Sequence, residues 1–260
     1  MNGARTNRFT NRTILVTGGA AGIGGAASEA FAREGGRVAI IDASVPAGEA
    51  MVTKIRAAGG SAEFYPLNLA DTLNIEPIID RVQSDFGPPD VLFNHAGTIT
   101  VAAFTDTTLD QFDALINVNV RASFLVCQKV VRTMVGNGGG SIVISSSLGA
   151  SHAFALESVY CMTKAAVLML AKSIAVEHRH HGIRANAVCP GFVRTGHGLR
   201  ELDTLRAMGQ DWDESTMSAS QIRICEPDEV ASAVLFLASQ EASFINGVGL
   251  YIDNGWAVKG

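Results

Sequence analysis

Residues 13–24 read TILVTGGAAGIG. The first five are all β-branched or aliphatic, which suits a short strand buried on both faces. Glycines at 18, 19, 22 and 24 then interrupt the run, and AASEAFAREG at 26–35 follows with the alanine content and apolar spacing of a helix. A strand, a glycine turn and a helix in such close succession open a βαβ unit, and that reading sets the fold of the chain.

Outward from the turn the same alternation repeats. Apolar runs at 13–17, 37–42, 62–66, 91–94, 141–145, 184–189 and 248–252 predict strands. Segments at 23–35, 47–58, 75–86, 109–135, 159–180 and 226–237 carry apolar residues at three- and four-residue spacing and predict helices. Together they predict an α/β fold, a doubly wound sheet of about seven parallel strands with helices on both faces. The least regular stretch, 195–223, mixes glycines, charges, two methionines and Trp212, and is predicted to be a mobile flap with short helices. No linker or repeat divides the chain, so residues 1–260 are expected to form a single domain.

At 260 residues and 47% hydrophobic content the chain can bury one sizeable core. Its formal charge of −5 is mixed in sign and offers no basic stripe for nucleic acid, and no run of about 20 predominantly apolar residues predicts a membrane span. Cys127, Cys161, Cys189 and Cys225 form no CxxC, which predicts reduced thiols in a cytoplasmic protein. His178, His180 and His181 cluster without an acidic or sulfur ligand at metal spacing, so no metal is expected. The first twelve residues read as a polar lead-in rather than a targeting peptide.

The glycines have a second meaning. Such a turn lets the backbone approach a pyrophosphate closely, and the helix it opens aims unsatisfied N–H groups at the phosphate. Gly18, Gly22 and Gly24, with Ile23 between the last two, are the candidates. Asp42 ends the second predicted strand, where a carboxylate accepts hydrogen bonds from both hydroxyls of an adenosine ribose and repels a 2′-phosphate. Neither arginine nor lysine lies in the turn, and Ala43 and Ser44 follow the acid, so the predicted cofactor is NAD rather than NADP. An ordinary turn and a strand-ending aspartate are the plainer alternatives.

TGGAAGIG at 17–24 resembles the TGxxxGxG turn of short-chain dehydrogenases/reductases, and the resemblance continues through NHAG at 94–97, YCMTK at 160–164 and PGFVRT at 190–195. It spans roughly residues 12–257 and implies a Rossmann-type NAD-binding catalytic domain, a small alcohol or ketone substrate and a homotetramer. By that resemblance Asn94, Ala96 and Gly97 close over the adenosine side of the cofactor and support the central strand. Asn68, with Leu69 beside it, meets the adenine, while Pro190, Gly191, Val193 and Thr195 hold the nicotinamide carboxamide. Two departures stand out. Asn68 replaces the usual aspartate, though its amide oxygen can accept the same hydrogen bond. His95 replaces a second asparagine, and either lines the cofactor pocket or fills the space of the amide.

Hydride transfer at a carbinol carbon requires a proton to leave or join the oxygen. A phenol with an ordinary pKa of about 10 needs a neighbouring cation to act as base at neutral pH. Tyr160 and Lys164 lie four apart in a segment with no proline or glycine, so they share a helix face. The resemblance makes Tyr160 the acid/base and Lys164 its electrostatic partner. The resemblance also implies a serine about thirteen residues before the tyrosine that polarises the substrate oxygen, which here is Ser147, with Ser146 as the alternative. Asn119 in INVNVRASF, with Asn117 as the outside alternative, is implied to hold a water that links the lysine to solvent. His152, Phe154 and Leu156 are candidate substrate contacts. Two rivals remain: an NADP-dependent 3-oxoacyl thioester ketoreductase, and a catalytically silent NAD-binding regulatory subunit.

Overall fold

The computed structural model describes residues 7–259. The first half of the expected lead-in, residues 1–6, lies outside the described residues. The strands are β1 (Thr13–Thr17), β2 (Arg37–Asp42), β3 (Ser61–Pro66), β4 (Val91–Asn94), β5 (Gly140–Ser145), β6 (Ile183–Pro190) and β7 (Gly249–Ile252). They form one parallel sheet in the order β3-β2-β1-β4-β5-β6-β7. The chain winds from β1 towards one edge and then returns to its other side with β4, so strand order reverses between these two strands. That reversal opens a crevice beyond their carboxyl ends, where Thr17 and Asn94 are register partners.

The helices are α1 (Gly22–Arg33), α2 (Val45–Ala57), α3 (Ile75–Phe86), α4 (Leu109–Leu115), α5 (Ser123–Gly136), α6 (Ser158–His178), α7 (Gly196–Ala207), α8 (Glu214–Gln221) and α9 (Pro227–Ala238). Side chains alternate across each strand, so Leu15 faces one layer while Ile14 and Val16 face the other. Helices α3, α5 and α6 cover the Leu15 face, and α1, α2 and α9 cover the opposite one. This double cover is why the strand sequences are almost wholly apolar. By length and composition, Leu109–Gly136 and Ser158–His181 are apolar enough to cross a membrane, contrary to the sequence expectation. Both pack against the sheet, which accounts for much of their apolar character.

The segment predicted as one helix over 109–135 is three pieces, because a π-helical run, Ile116–Ala122, separates α4 from α5. Wider π turns shift the register of the side chains that follow. Asn119 lies in that run, is buried, and makes three tertiary hydrogen bonds there. Such contacts override apolar spacing, which cannot reveal them. The irregular stretch 195–223 contains α7 and α8, capped by Thr195 and Asp213, with a small apolar cluster of Phe192, Leu202, Met217 and Ile224.

Candidate active site

A cavity of about 500 Å³ opens beyond the carboxyl ends of β1, β4, β5 and β6. Its floor is the glycine turn. Gly18 and Gly22 have φ of +67° and +55°, a conformation that side chains disfavour. A Cβ on Gly18 would come within 2.9 Å of the Ala96 backbone, and one on Gly24 would overlap the Gly18 carbonyl. Helix α1 starts after Ala21 with no side-chain cap and no acid in its first turn, leaving N–H groups and a positive end directed outward. The Asp42 carboxylate accepts from the N–H of Ala20 at 3.1 Å and of Ser44 at 3.0 Å, which fixes it at the rim. Asn68 and Leu69 line the same end, and the Asn68 amide oxygen also accepts from the Ala70 N–H at 3.0 Å. A cradle that any Cβ would obstruct, an open helix end and a rim carboxylate fit a dinucleotide.

At the other end, Lys164 is only 7% exposed, and its amine donates to the Ser145 carbonyl at 3.0 Å. It also sits 5.5 Å from the centre of the Tyr160 ring. Three consecutive serines are sorted by their partners. Ser145 is hydrogen-bonded to His95 Nδ1 at 2.9 Å, and Ser146 donates to the Lys164 carbonyl at 2.8 Å. Ser147 is the one left facing the cavity with Tyr160, its hydroxyl accepting from the Gly149 N–H at 3.1 Å.

A family profile described as Enoyl-(Acyl carrier protein) reductase matches residues 18–257. The chain is 33% identical to D-threitol dehydrogenase of Mycolicibacterium smegmatis over 97% of its length and 95% of that protein. It is 34% identical to 2,5-dichloro-2,5-cyclohexadiene-1,4-diol dehydrogenase LinX of Sphingobium indicum, covering 97% and 98%. The crystal structure of levodione reductase superposes with a TM-score of 0.92 at 29% identity, covering 97% and 100%. The chain belongs to the short-chain dehydrogenase/reductase family. With the family come a nicotinamide cofactor and oxidoreductase chemistry at CH–OH groups.

Most of the site residues expected of a short-chain dehydrogenase come together around one cavity. Gly18, Gly22, Ile23, Ala96 and Gly97 line the cavity with Ser147, Tyr160 and Lys164, and Pro190, Gly191, Val193 and Thr195 line its far wall. Three of the expected residues lie off the cavity lining. Asn94 does not reach the cavity: it is buried behind it, accepting from the Thr17 hydroxyl at 3.1 Å and donating to the Ser123 carbonyl at 3.0 Å. Gly24 sits under the turn rather than on its surface. Asn119 turns its amide to the Thr98 backbone at 2.8 Å in both directions and to the Thr163 hydroxyl at 3.0 Å, pinning the loop after β4 to α6.

His95 both fills space and lines the cavity, stacked on Phe93 at 5.1 Å. Burial and the nearby Lys164 push its pKa down to about 3, so the ring is neutral. The Thr195 hydroxyl accepts from the Gly198 N–H at 3.0 Å as the α7 cap. Phe154 lines the cavity; His152 and Leu156 do not.

Electrostatics at the catalytic end departs from expectation. Burial lowers the Lys164 pKa to about 8 and pushes the Tyr160 phenol above its ordinary range. Glu201 raises the phenol further, while the Ser147 hydrogen bond lowers it. Lys164 is not among the leading influences on the phenol; its amine is committed to Ser145. Sequence reasoning missed Glu157 and Glu201, whose carboxyl groups hydrogen-bond one another in the cavity and are both raised, chiefly by burial. It also missed His197, which burial pushes down to about 4, and Gln221, which pairs with both backbone groups of Phe192 at 3.0 and 2.7 Å and so holds the far wall to α8. Nothing in the local sequence distinguishes these from solvated polar residues.

The raised carboxyls have a sign that can be tested. Folded Glu157 and Glu201 keep protons above the ordinary value of 4.5, so the pair's contribution to stability is full below that pH and is lost as pH rises through neutrality. Glu201→Gln removes this loss. The melting temperature of the variant relative to wild type is expected to climb between about pH 5 and 8, by roughly 2–4 °C per kcal/mol relieved, when followed by circular dichroism. Parallel pH curves for the two proteins would contradict it.

Proposed function

We propose that this protein interconverts a secondary alcohol and a ketone with NAD. The observation that carries the reading is that Ser147, Tyr160 and Lys164 line one cavity, with the Lys164 amine 5.5 Å from the centre of the Tyr160 ring and the glycine cradle at the opposite end. The nicotinamide, when bound, accepts or supplies the hydride. Ser147 donates a hydrogen bond to the substrate oxygen, and Tyr160 takes or returns the hydroxyl proton. Lys164 holds the nicotinamide ribose and provides the positive charge next to the phenol. Asn119 acts as a positioning residue through Thr98 and Thr163.

Two hydroxyl groups converging on one oxygen suit a carbonyl or carbinol rather than a carbon–carbon double bond. That favours alcohol chemistry over the reaction named in the family profile. The Asp42 carboxylate supports NAD, since it would repel a 2′-phosphate. The 3-oxoacyl thioester alternative draws on 34% identity to a 3-oxoacyl-[acyl-carrier-protein] reductase of Thermotoga maritima. The two relatives named for diol substrates point instead to small alcohols. The presence of Ser147, Tyr160 and Lys164 together in the cavity speaks against a silent regulatory subunit.

A homotetramer is part of the proposal. Met162, Met169 and Val176 recur every seven residues along α6, all more than half exposed, and Phe244 and Val258 lie open near the edge strand β7. These leave two apolar surfaces for two kinds of contact between copies. Four free thiols with no disulfide among the described residues fit a reducing cytoplasm.

Steady-state kinetics tests the reading. Tyr160→Phe is expected to lower turnover by roughly 10²–10⁴-fold while the reduced cofactor still binds, as followed by its nicotinamide fluorescence. Asp42→Ala is expected to erode the preference for NAD over NADP by about tenfold or more. Near-normal turnover in the first variant, or an unchanged cofactor preference in the second, would remove the corresponding role.

A further inference from the structure

One feature of the cavity has no part in moving the hydride or the proton. Glu157 precedes Tyr160 by one helical turn and is 6% exposed, yet its carboxyl lines the cavity. Glu201 reaches it from α7, on the flap, so a side chain of the catalytic helix and a side chain of the covering helix meet inside the site. Among the described residues neither carboxyl forms an ion pair, and the only hydrogen-bond partner of each is the other. Setting a buried and a half-buried acid against one another without an ion-pairing cation is costly and gives nothing to the fold that apolar residues would not. Such a pair makes sense where a ligand completes its hydrogen bonding.

The chemistry of the pair narrows that ligand. Two carboxyls in contact share a proton, which leaves one O–H donor beside several acceptor lone pairs. A hydroxyl, which both donates and accepts, satisfies both kinds of group; an ammonium ion has no acceptor for the shared proton. Phe154 and Trp256 stack edge-to-face at 5.6 Å on the same cavity wall, with Trp212 nearby, and present apolar surface to carbon. One hydroxyl at Ser147 and Tyr160, a second one helical turn away at Glu157, and carbon against the aromatic rings describe a small diol.

We infer that Glu157 and Glu201 form a subsite for a second substrate hydroxyl on a carbon neighbouring the reacting one, so that the enzyme selects diols and polyols over monohydric alcohols. The inference rests on the alcohol–ketone reading above. It adds two specificity residues that contact the substrate away from the reacting carbon.

The test is kcat/KM for matched sets of four- to six-carbon compounds: vicinal diols, the corresponding monohydric alcohols, and amino alcohols with an amine in place of the second hydroxyl. Wild type, Glu157→Gln and Glu201→Gln are compared, with NAD binding measured in each. Wild type is expected to prefer the diols by at least about tenfold, and that preference is expected to shrink about tenfold or more in either variant, as for loss of a hydrogen bond to a charged group. The two variants also separate local from global effects, since Glu201 lies on the flap and Glu157 on the catalytic helix. Equal use of diols and monohydric alcohols, or a preference that both variants retain, would overturn the inference while leaving the dehydrogenase reading intact. A preference for the amino alcohols would overturn it by assigning the pair to a cation. No turnover of any alcohol, with NAD bound, would overturn both.

Discussion

The catalytic end depends on a reciprocal tie between α6 and the end of β5. The Lys164 amine donates to the Ser145 carbonyl at 3.0 Å, and the Ser146 hydroxyl donates to the Lys164 carbonyl at 2.8 Å. Together they lock one turn of helix against the strand. Tyr160, one turn earlier, is thereby held beside Ser147, and Glu157, a further turn back, is carried into the same cavity. The arrangement takes ionisable groups out of water, and every one responds in the direction that favours its neutral form. Lys164, His95 and His197 are lowered, while Tyr160, Glu157 and Glu201 are raised. Desolvation is the leading cause throughout, with Glu201 adding to the rise at Tyr160 and Lys164 to the fall at His95.

The cofactor end is governed by a different constraint, close backbone packing. Where Gly18 presses on Ala96 and Gly24 on Gly18, the turn, the loop after β4 and helix α1 leave no room for side chains. Asn94 and Asn119 then act as struts rather than as ligands, one joining β4 to β1 and α5, the other joining the loop after β4 to α6. In this way the two ends of the cavity are connected through a short buried network.

What could be read from the chain beforehand follows from how local each feature is. The glycine turn, Asp42 at the end of its strand and the four-residue interval between Tyr160 and Lys164 are contained within a few residues, so their geometry is implied by the backbone they sit on. Alternating apolar runs gave the sheet because both of its faces are covered. Sequence alone could not show the π-helical run, since it serves contacts from Asn119 to Thr98 and Thr163, the latter 44 positions away. Asn94 looked like a cofactor contact because the residues after it line the cavity; only the burial of its amide against Ser123 separates it from them. Glu157 and Glu201 meet only because α7 folds over α6, and in a stretch of mixed charges Glu201 is indistinguishable from a solvated helix face.

Desolvation of the phenol is the part of this picture open to the most direct measurement. An ultraviolet difference titration of the cofactor-free protein, wild type minus Tyr160→Phe, isolates that one phenol from Tyr65 and Tyr251. If burial and Glu201 govern Tyr160, its ionisation appears above the ordinary value of 10. A transition at or below 10 would mean that the nearby lysine outweighs burial, and the account of the buried site would be wrong.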